Sequence, residues 1–345
     1  MRPHRSHLPI FAIALTLLAS ACGPAPRPQH RTLPARHSAA PPATTVQPAK
    51  NFSLGLISFV SPQAGFGLSS SGRLVFTHDG GRTWQQYAKE ATLPPIEGLD
   101  FVDHQDGWYW GGYPRSFLSL TTDSGRAWQD LPSPPAGTTY VHFWTPKSGV
   151  SLALGNPGQA PTVAPAVYTS SDGGLDWRLA GRLPAIDAYA ARHYLTSSFP
   201  DPQDGWVMVG GEPGAGSQAK YLYHTSDGGR TWRLWAQASF NLATGTATDS
   251  SLPIGWYVST IFFRSKLVGY LSLNRGPVLE TTDGGHTWQT VWSAFFQPEA
   301  EYDRRIQFVN AKDGWLLAKS DGLTLWGTTN GGGTWRSLTS AQIRP

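Results

Sequence analysis

Apolar positions along this chain come in short runs separated by turns rich in Gly, Pro and Asp, and no long amphipathic helical stretch appears, so the pattern predicts an all-β body. The runs recur in a fixed order: a strand ending in Phe, a loop, a Gly-aromatic strand, a loop, a strand into an Asp turn, and a strand out from Trp. The first signature reads FVDHQDGW from Phe101, FPDPQDGW from Phe199 and FVNAKDGW from Phe308, with looser versions from Phe59, Phe143 and Phe263. The second reads THDGGRTW from Thr77, TTDSGRAW from Thr121, SSDGGLDW from Ser170, TSDGGRTW from Thr225, TTDGGHTW from Thr281 and TTNGGGTW from Thr328.

From Asp79 to Asp123, Asp172, Asp227, Asp283 and Asn330 the steps are 44, 49, 55, 56 and 47 residues, long enough for one four-stranded sheet each. Each unit is one antiparallel meander, its strands called A to D from first to last. The units span about 54–87, 96–131, 139–179, 194–235, 257–292 and 306–338. The expected fold is a single six-bladed β-propeller over residues 51–345, with seven blades the alternative. Within each turn the Asp carboxylate folds back onto backbone N–H groups, the Gly pair supplies positive φ, the Ser or Thr two places earlier adds a local hydrogen bond, and the Trp offers a large apolar face.

These residues resemble the Asp-box, or bacterial-neuraminidase, repeat, and the combined unit is most similar to the propellers of photosystem II assembly and stability factors. The resemblance covers about residues 54–340. It makes the boxes fold elements: Asp79, Asp123, Asp172, Asp227, Asp283 and Asn330, with Trp84, Trp128, Trp177, Trp232, Trp288 and Trp335. This chain departs from the repeat at Ser124, Ala127, Asp176 and Asn330. The assembly-factor likeness implies an Arg-bearing surface that receives a partner polypeptide. Boxes of this kind also occur in sialidases, xyloglucan hydrolases and scaffolds, so the fold does not select a chemistry.

A meander sorts its loops onto two faces. The A–B loops (His104 to Asp106, Pro202 to Asp204, Ala311 to Asp313) share one face with the Asp turns, and both are short and uniform. The B–C and D–A loops share the other face and vary, as functional loops on a rigid scaffold do. That variable face carries Arg73, Tyr113, Arg115, Arg192, Tyr194, Arg275, Tyr302, Arg304 and Arg305 as candidate binding residues, where converging guanidinium groups would suit a carboxylate or phosphate. The alternative for each is a solvated charge beside the neighbouring acids. A sialidase would need three Arg, a Tyr assisted by Glu, and an Asp. Arg73, Arg115, Arg275 and Tyr302 with Glu301 fill those parts by choice rather than by motif, so no residue is assigned as catalytic and a surface glycoside hydrolase is the rival reading.

Composition adjusts this picture at the N-terminus. Arg2 and Arg5 precede an apolar run from Leu8 to Leu18 that suits a signal-peptide core, and it ends in Ala19-Ser20-Ala21-Cys22 with the only Cys of the chain. Residues 1–21 read as a lipoprotein signal and Cys22 as the acylated residue, the alternative being an ordinary secretory signal. Residues 22–50 are Pro- and Ala-rich and read as a disordered tether. Residues 1–50 hold six of the 27 basic residues and no acid, so the remaining 21 face 23 acidic residues and the body is near neutral. Nucleic acid is therefore not an expected partner. The body's six His show no ligand spacing, and neither metal nor cofactor is expected. The expected partner is a protein or cell-envelope polymer, met by a monomer that is extracytoplasmic and lipid-anchored to a bacterial membrane.

Overall fold

The computed structural model describes residues 45–49, 53–88, 92–111, 115–155, 162–241, 246–247, 251–274, 276–292, 304–318 and 324–338. All of them belong to the unit spanning residues 33–345. Six antiparallel sheets follow one another along the chain, each built in order from its own A, B, C and D strands, and together they form an all-β six-bladed propeller. The A strands Leu54–Phe59, Gly98–Phe101, Thr138–Phe143, Leu195–Ser198, Tyr257–Phe263 and Arg304–Phe308 surround an axial cavity of about 780 Å³.

Each Asp turn closes on its own side chains. In the fourth blade the Thr225 hydroxyl donates to Asp227 at 2.8 Å and accepts from the Gly229 N–H, while Asp227 accepts from the Thr231 N–H at 2.9 Å and hydroxyl at 2.6 Å. A backbone bond from the first turn Gly or its equivalent then ties each turn to the A–B loop of the same blade, from Gly80 to Gln63, Ser124 to Gln105, Gly173 to Lys147, Gly228 to Gln203, Gly284 to Leu267 and Gly331 to Lys312. These six bonds put the Asp turns and A–B loops on one face. Ser124, in place of Gly, takes φ 67°, and Asn330 keeps the turn by accepting from Thr334 N–H and donating to its hydroxyl.

The Phe of the first signature is the hub of the packing. Every one of the six meets the Trp of its own Asp turn edge-on, at 5.9 to 6.1 Å between centroids. In five of the six interfaces that Phe also stacks with an aromatic ring from the B strand of the preceding blade: Phe66 on Phe101, Trp108 on Phe143, Trp206 on Phe263, Tyr270 on Phe308 and Trp315 on Phe59. In the remaining interface the equivalent B-strand position is Val150, which shares a core cluster with Phe199. The Phe ring also explains the Gly that opens each B strand. A Cβ at Gly269 would lie 2.6 Å from the Phe263 ring, and one at Gly65, Gly107, Gly149, Gly205 or Gly314 would lie nearer still to its Phe.

Among the described residues no strand is exchanged to close the ring. The sixth blade meets the first through side chains: Gln307 accepts from the Phe59 N–H at 2.8 Å and donates to its carbonyl at 3.0 Å, and Trp315 Nε1 donates to the Gly80 carbonyl at 2.9 Å. Val46–Pro48, at the end of the stretch expected as tether, forms instead a fifth strand on the outer edge of the first blade, antiparallel to Gln85–Tyr87. Ala49, just beyond it, is buried with Leu54, Trp84 and Trp315.

Candidate functional site

Much of the polar lining of the axial cavity holds blade to blade. The Ser58 hydroxyl accepts from the Phe101 N–H, Asp100 accepts from the Phe143 N–H at 2.8 Å and lies 3.1 Å from His142 Nδ1, and the Ser198 hydroxyl accepts from the Phe263 N–H. Burial, reinforced by the Asp100 charge, pushes the Tyr140 hydroxyl pKa far up. Groups not spent in this way are Glu97, His193 and Arg305 at the variable end and Arg264 at the Asp-turn end. The Nε atoms of Arg305 and Arg264 and the indole N–H of Trp110 are buried without a hydrogen-bond partner among the described residues. The described lining thus leaves two guanidinium Nε atoms and one indole N–H without acceptors, with the Glu97 and Asp100 carboxylates also lining the cavity.

On the variable face a buried lysine joins the described loops of the fourth and fifth blades. Lys220, at the foot of a C strand, is fully buried, and its Nζ donates to the carbonyls of Gln218 at 3.0 Å, Pro253 at 2.7 Å, Gly255 at 3.0 Å and Trp256 at 3.1 Å, with Ile254 at 3.4 Å. Burial lowers its pKa to about 8, which leaves the ammonium charged at neutral pH, with backbone dipoles in place of a carboxylate. Gln218 completes the joint, accepting from the Val258 N–H at 2.7 Å and donating to the Gly211 carbonyl at 2.9 Å. The B–C loop of blade four and the D–A loop that follows are thereby one shelf. On it Trp256 stands 41% exposed with φ 60°, a left-handed backbone that strains any residue except Gly.

Beside the shelf lies the helix Ala188–His193, whose N-terminus is capped by the Asp187 carboxylate accepting from the Ala190 N–H. It brings Tyr189 to 4.4 Å from His193 and 6.1 Å from Tyr194, between ring centroids. Burial raises the Tyr194 pKa, aided by its hydrogen bond with Tyr189 and by Tyr257 and Glu212. The result is an aromatic sector edged by exposed Arg192.

The nine sequence-predicted residues do not all meet. Arg192 and Tyr194 share the helical sector, and Arg305 lines the cavity. Arg115 is exposed and Arg73 sits in the Ser69–Arg73 hairpin, where its N–H donates to the Ser69 hydroxyl; neither lines the cavity. Tyr113, Arg275, Tyr302 and Cys22, and the side chain of Arg304, lie outside the described residues. Neither Trp256, a Trp outside both repeated signatures, nor Lys220 is among the sequence-predicted residues. The cue for Lys220 was its place at the start of an otherwise apolar-patterned strand.

No family model matches the chain. Two known proteins are similar in sequence. The chloroplastic photosystem II stability/assembly factor HCF136 of Arabidopsis thaliana is 24% identical over 318 residues, covering 78% of this chain and 74% of its own. The photosystem II assembly lipoprotein Ycf48 of Synechococcus sp. (strain CC9902) is 27% identical over 264 residues, covering 68% and 74%. Among solved structures, YCF48 bound to a D1 peptide superposes with a TM-score of 0.50 at 16% identity, covering 88% of this chain and 86% of that one, a likeness of fold.

Proposed function

We propose that this chain is a non-catalytic propeller that binds a polypeptide on its variable face as a scaffold or assembly factor, held outside the cytoplasm by a lipid on Cys22. The observation that carries the reading is the shelf: a buried ammonium fixes two loops so that a strained Trp256 stands exposed beside an aromatic sector. Strain and exposed aromatic surface concentrate where partners bind. The two similar proteins, named as assembly factors and one of them as a lipoprotein, favour the same reading, as does the solved neighbour's peptide.

The test is a titration of the full chain with the D1 peptide named for that neighbour, run beside fluorogenic glycosides that include sialosides. Saturable peptide binding, weakened at least tenfold by Trp256→Ala or Arg305→Ala, is expected. Glycoside turnover abolished by changing Arg115 or Tyr302 would establish the rival hydrolase. Membrane fractionation checks the anchor: Cys22→Ser is expected to release the chain, and retention would remove that part.

A further inference from the structure

The edge strand Val46–Pro48 has a direction. Val46 pairs with Tyr87 and Pro48 with Gln85, and the Ala88 N–H donates to the Thr45 carbonyl at 3.0 Å. Tyr87 and Ala88 lead into a D–A loop, and the Leu93 N–H of the same loop donates to the Gly72 carbonyl in a B–C loop. The chain therefore enters the body at the variable face. Thr45 lies 23 positions beyond Cys22, and the stretch between them carries Arg27, Arg31 and Arg36 with no acid.

The two faces also differ in charge: the described B–C and D–A loops balance Arg73, Arg115 and Arg192 against Glu97, Asp187 and Glu212, whereas the other face is net acidic. The A–B loops and Asp turns carry eleven Asp, against seven Arg and Lys among Arg82, Arg126, Lys147, Arg230, Arg264, Lys266 and Lys312. An anionic bilayer repels a net acidic face within about 10 Å, the screening length of salt solution near physiological strength, and attracts the basic segment that precedes the opposite one.

From the strand direction and this asymmetry we infer that the propeller rides with its variable face toward an anionic membrane surface and its Asp turns toward the aqueous side. The opposite orientation would bring the net acidic face against lipid phosphate. The inference rests on the Cys22 anchor proposed above. Its consequence is that the polypeptide partner is met at the membrane, by segments emerging from the bilayer.

The body has no Cys of its own, so single labels report each face in the intact, acylated chain. Donor dyes at Ser71→Cys and Glu212→Cys on the variable face, and at His104→Cys and Arg230→Cys on the other, are read against acceptor-labelled headgroups in phosphatidylethanolamine–phosphatidylglycerol vesicles. Energy transfer at Ser71 and Glu212 at least twice that at His104 and Arg230 is expected. Flotation with the vesicles but equal or reversed transfer would overturn the orientation alone. Failure to float, unchanged by Cys22→Ser, would overturn the anchor and the orientation with it, while leaving the peptide titration untouched.

Discussion

Trp315 of the last blade lies flat on Phe59 of the first, 3.7 Å between ring centroids and 3° between planes, and its indole N–H donates to Gly80 in the first Asp turn. That single side chain joins the two ends of the ring in the way Trp108 and Trp206 join interior blades. Among the described residues no strand is exchanged, and this contact, Gln307 and the packing of Leu317 and Leu325 with Phe59 and Val75 close the ring.

Trp315→Leu is therefore expected to cost about 3 kcal/mol in denaturant unfolding, the usual scale for a truncated buried aromatic. Gln307→Ala leaves the Phe59 N–H and carbonyl without their partner and is expected to cost about 1–3 kcal/mol. Unfolding that starts earlier in hydrogen exchange at the first and sixth blades than at the third would locate the loss at the closure.

Glycine at the opening of the B strand is a steric demand. Gly107→Ala, whose Cβ would run into the Phe101 ring, is expected to destabilise by about 1–3 kcal/mol through overpacking. Gly214→Ala, where nothing lies within 4 Å of a new Cβ, is expected to stay within about 0.5 kcal/mol of the parent. Equal effects of the two in one melting series would refute the account.

The Asp turns make stability depend on acid. Burial pushes the Asp227 and Asp283 pKa values up, but the hydrogen bonds from Thr231 and Thr225, and from Thr287 and Thr281, outweigh it and bring both to about 2. Both folded values lie below the ordinary 3.8, so these carboxylates contribute fully above about pH 4, and the contribution is lost as pH falls through about 2. Asp227→Asn, which copies the natural Asn330 turn, is expected to flatten the stability curve between those limits, and an unchanged acid slope would count against it.

Ser124 holds φ 67° where five other blades place Gly. Ser124→Gly is expected to stabilise by about 1 kcal/mol, since a left-handed backbone costs an L-residue about 1–2 kcal/mol and Gly returns part of that as chain entropy. Isothermal denaturation of the single variant decides it.

Lys220→Met keeps the stem but removes the ammonium from its carbonyls. Stranded buried acceptors cost about 1–3 kcal/mol each, less where water reaches them, so a loss of about 2–4 kcal/mol is expected. Faster hydrogen exchange at Gly255 and Trp256 than in the parent would tie that loss to the shelf.

The repeat was legible because its residues are local. Thr, Asp and Gly within five positions of one another make the turn, and that hydrogen bonding follows from their spacing alone. The division into uniform and variable faces was legible too, from strand parity. The partners of the Phe hub were not. Trp108 and Phe143 are 35 residues apart in different blades, and nothing in their spacing says that one ring covers the other. Nor could the sequence separate Arg305, which reaches the cavity, from Arg73 and Arg115, which do not.

By itself, then, the order of residues determined six meanders, the closed shape of each Asp turn and the sorting of loops, because short-range hydrogen bonds and period-two burial are written along the backbone. Tertiary structure decided ring closure by Trp315 and Gln307, the outer strand Val46–Pro48, and the shelf on which Lys220 sets Trp256. Each of these depends on where distant blades come to rest, and that position is set by the summed packing of many side chains rather than by any one stretch of chain.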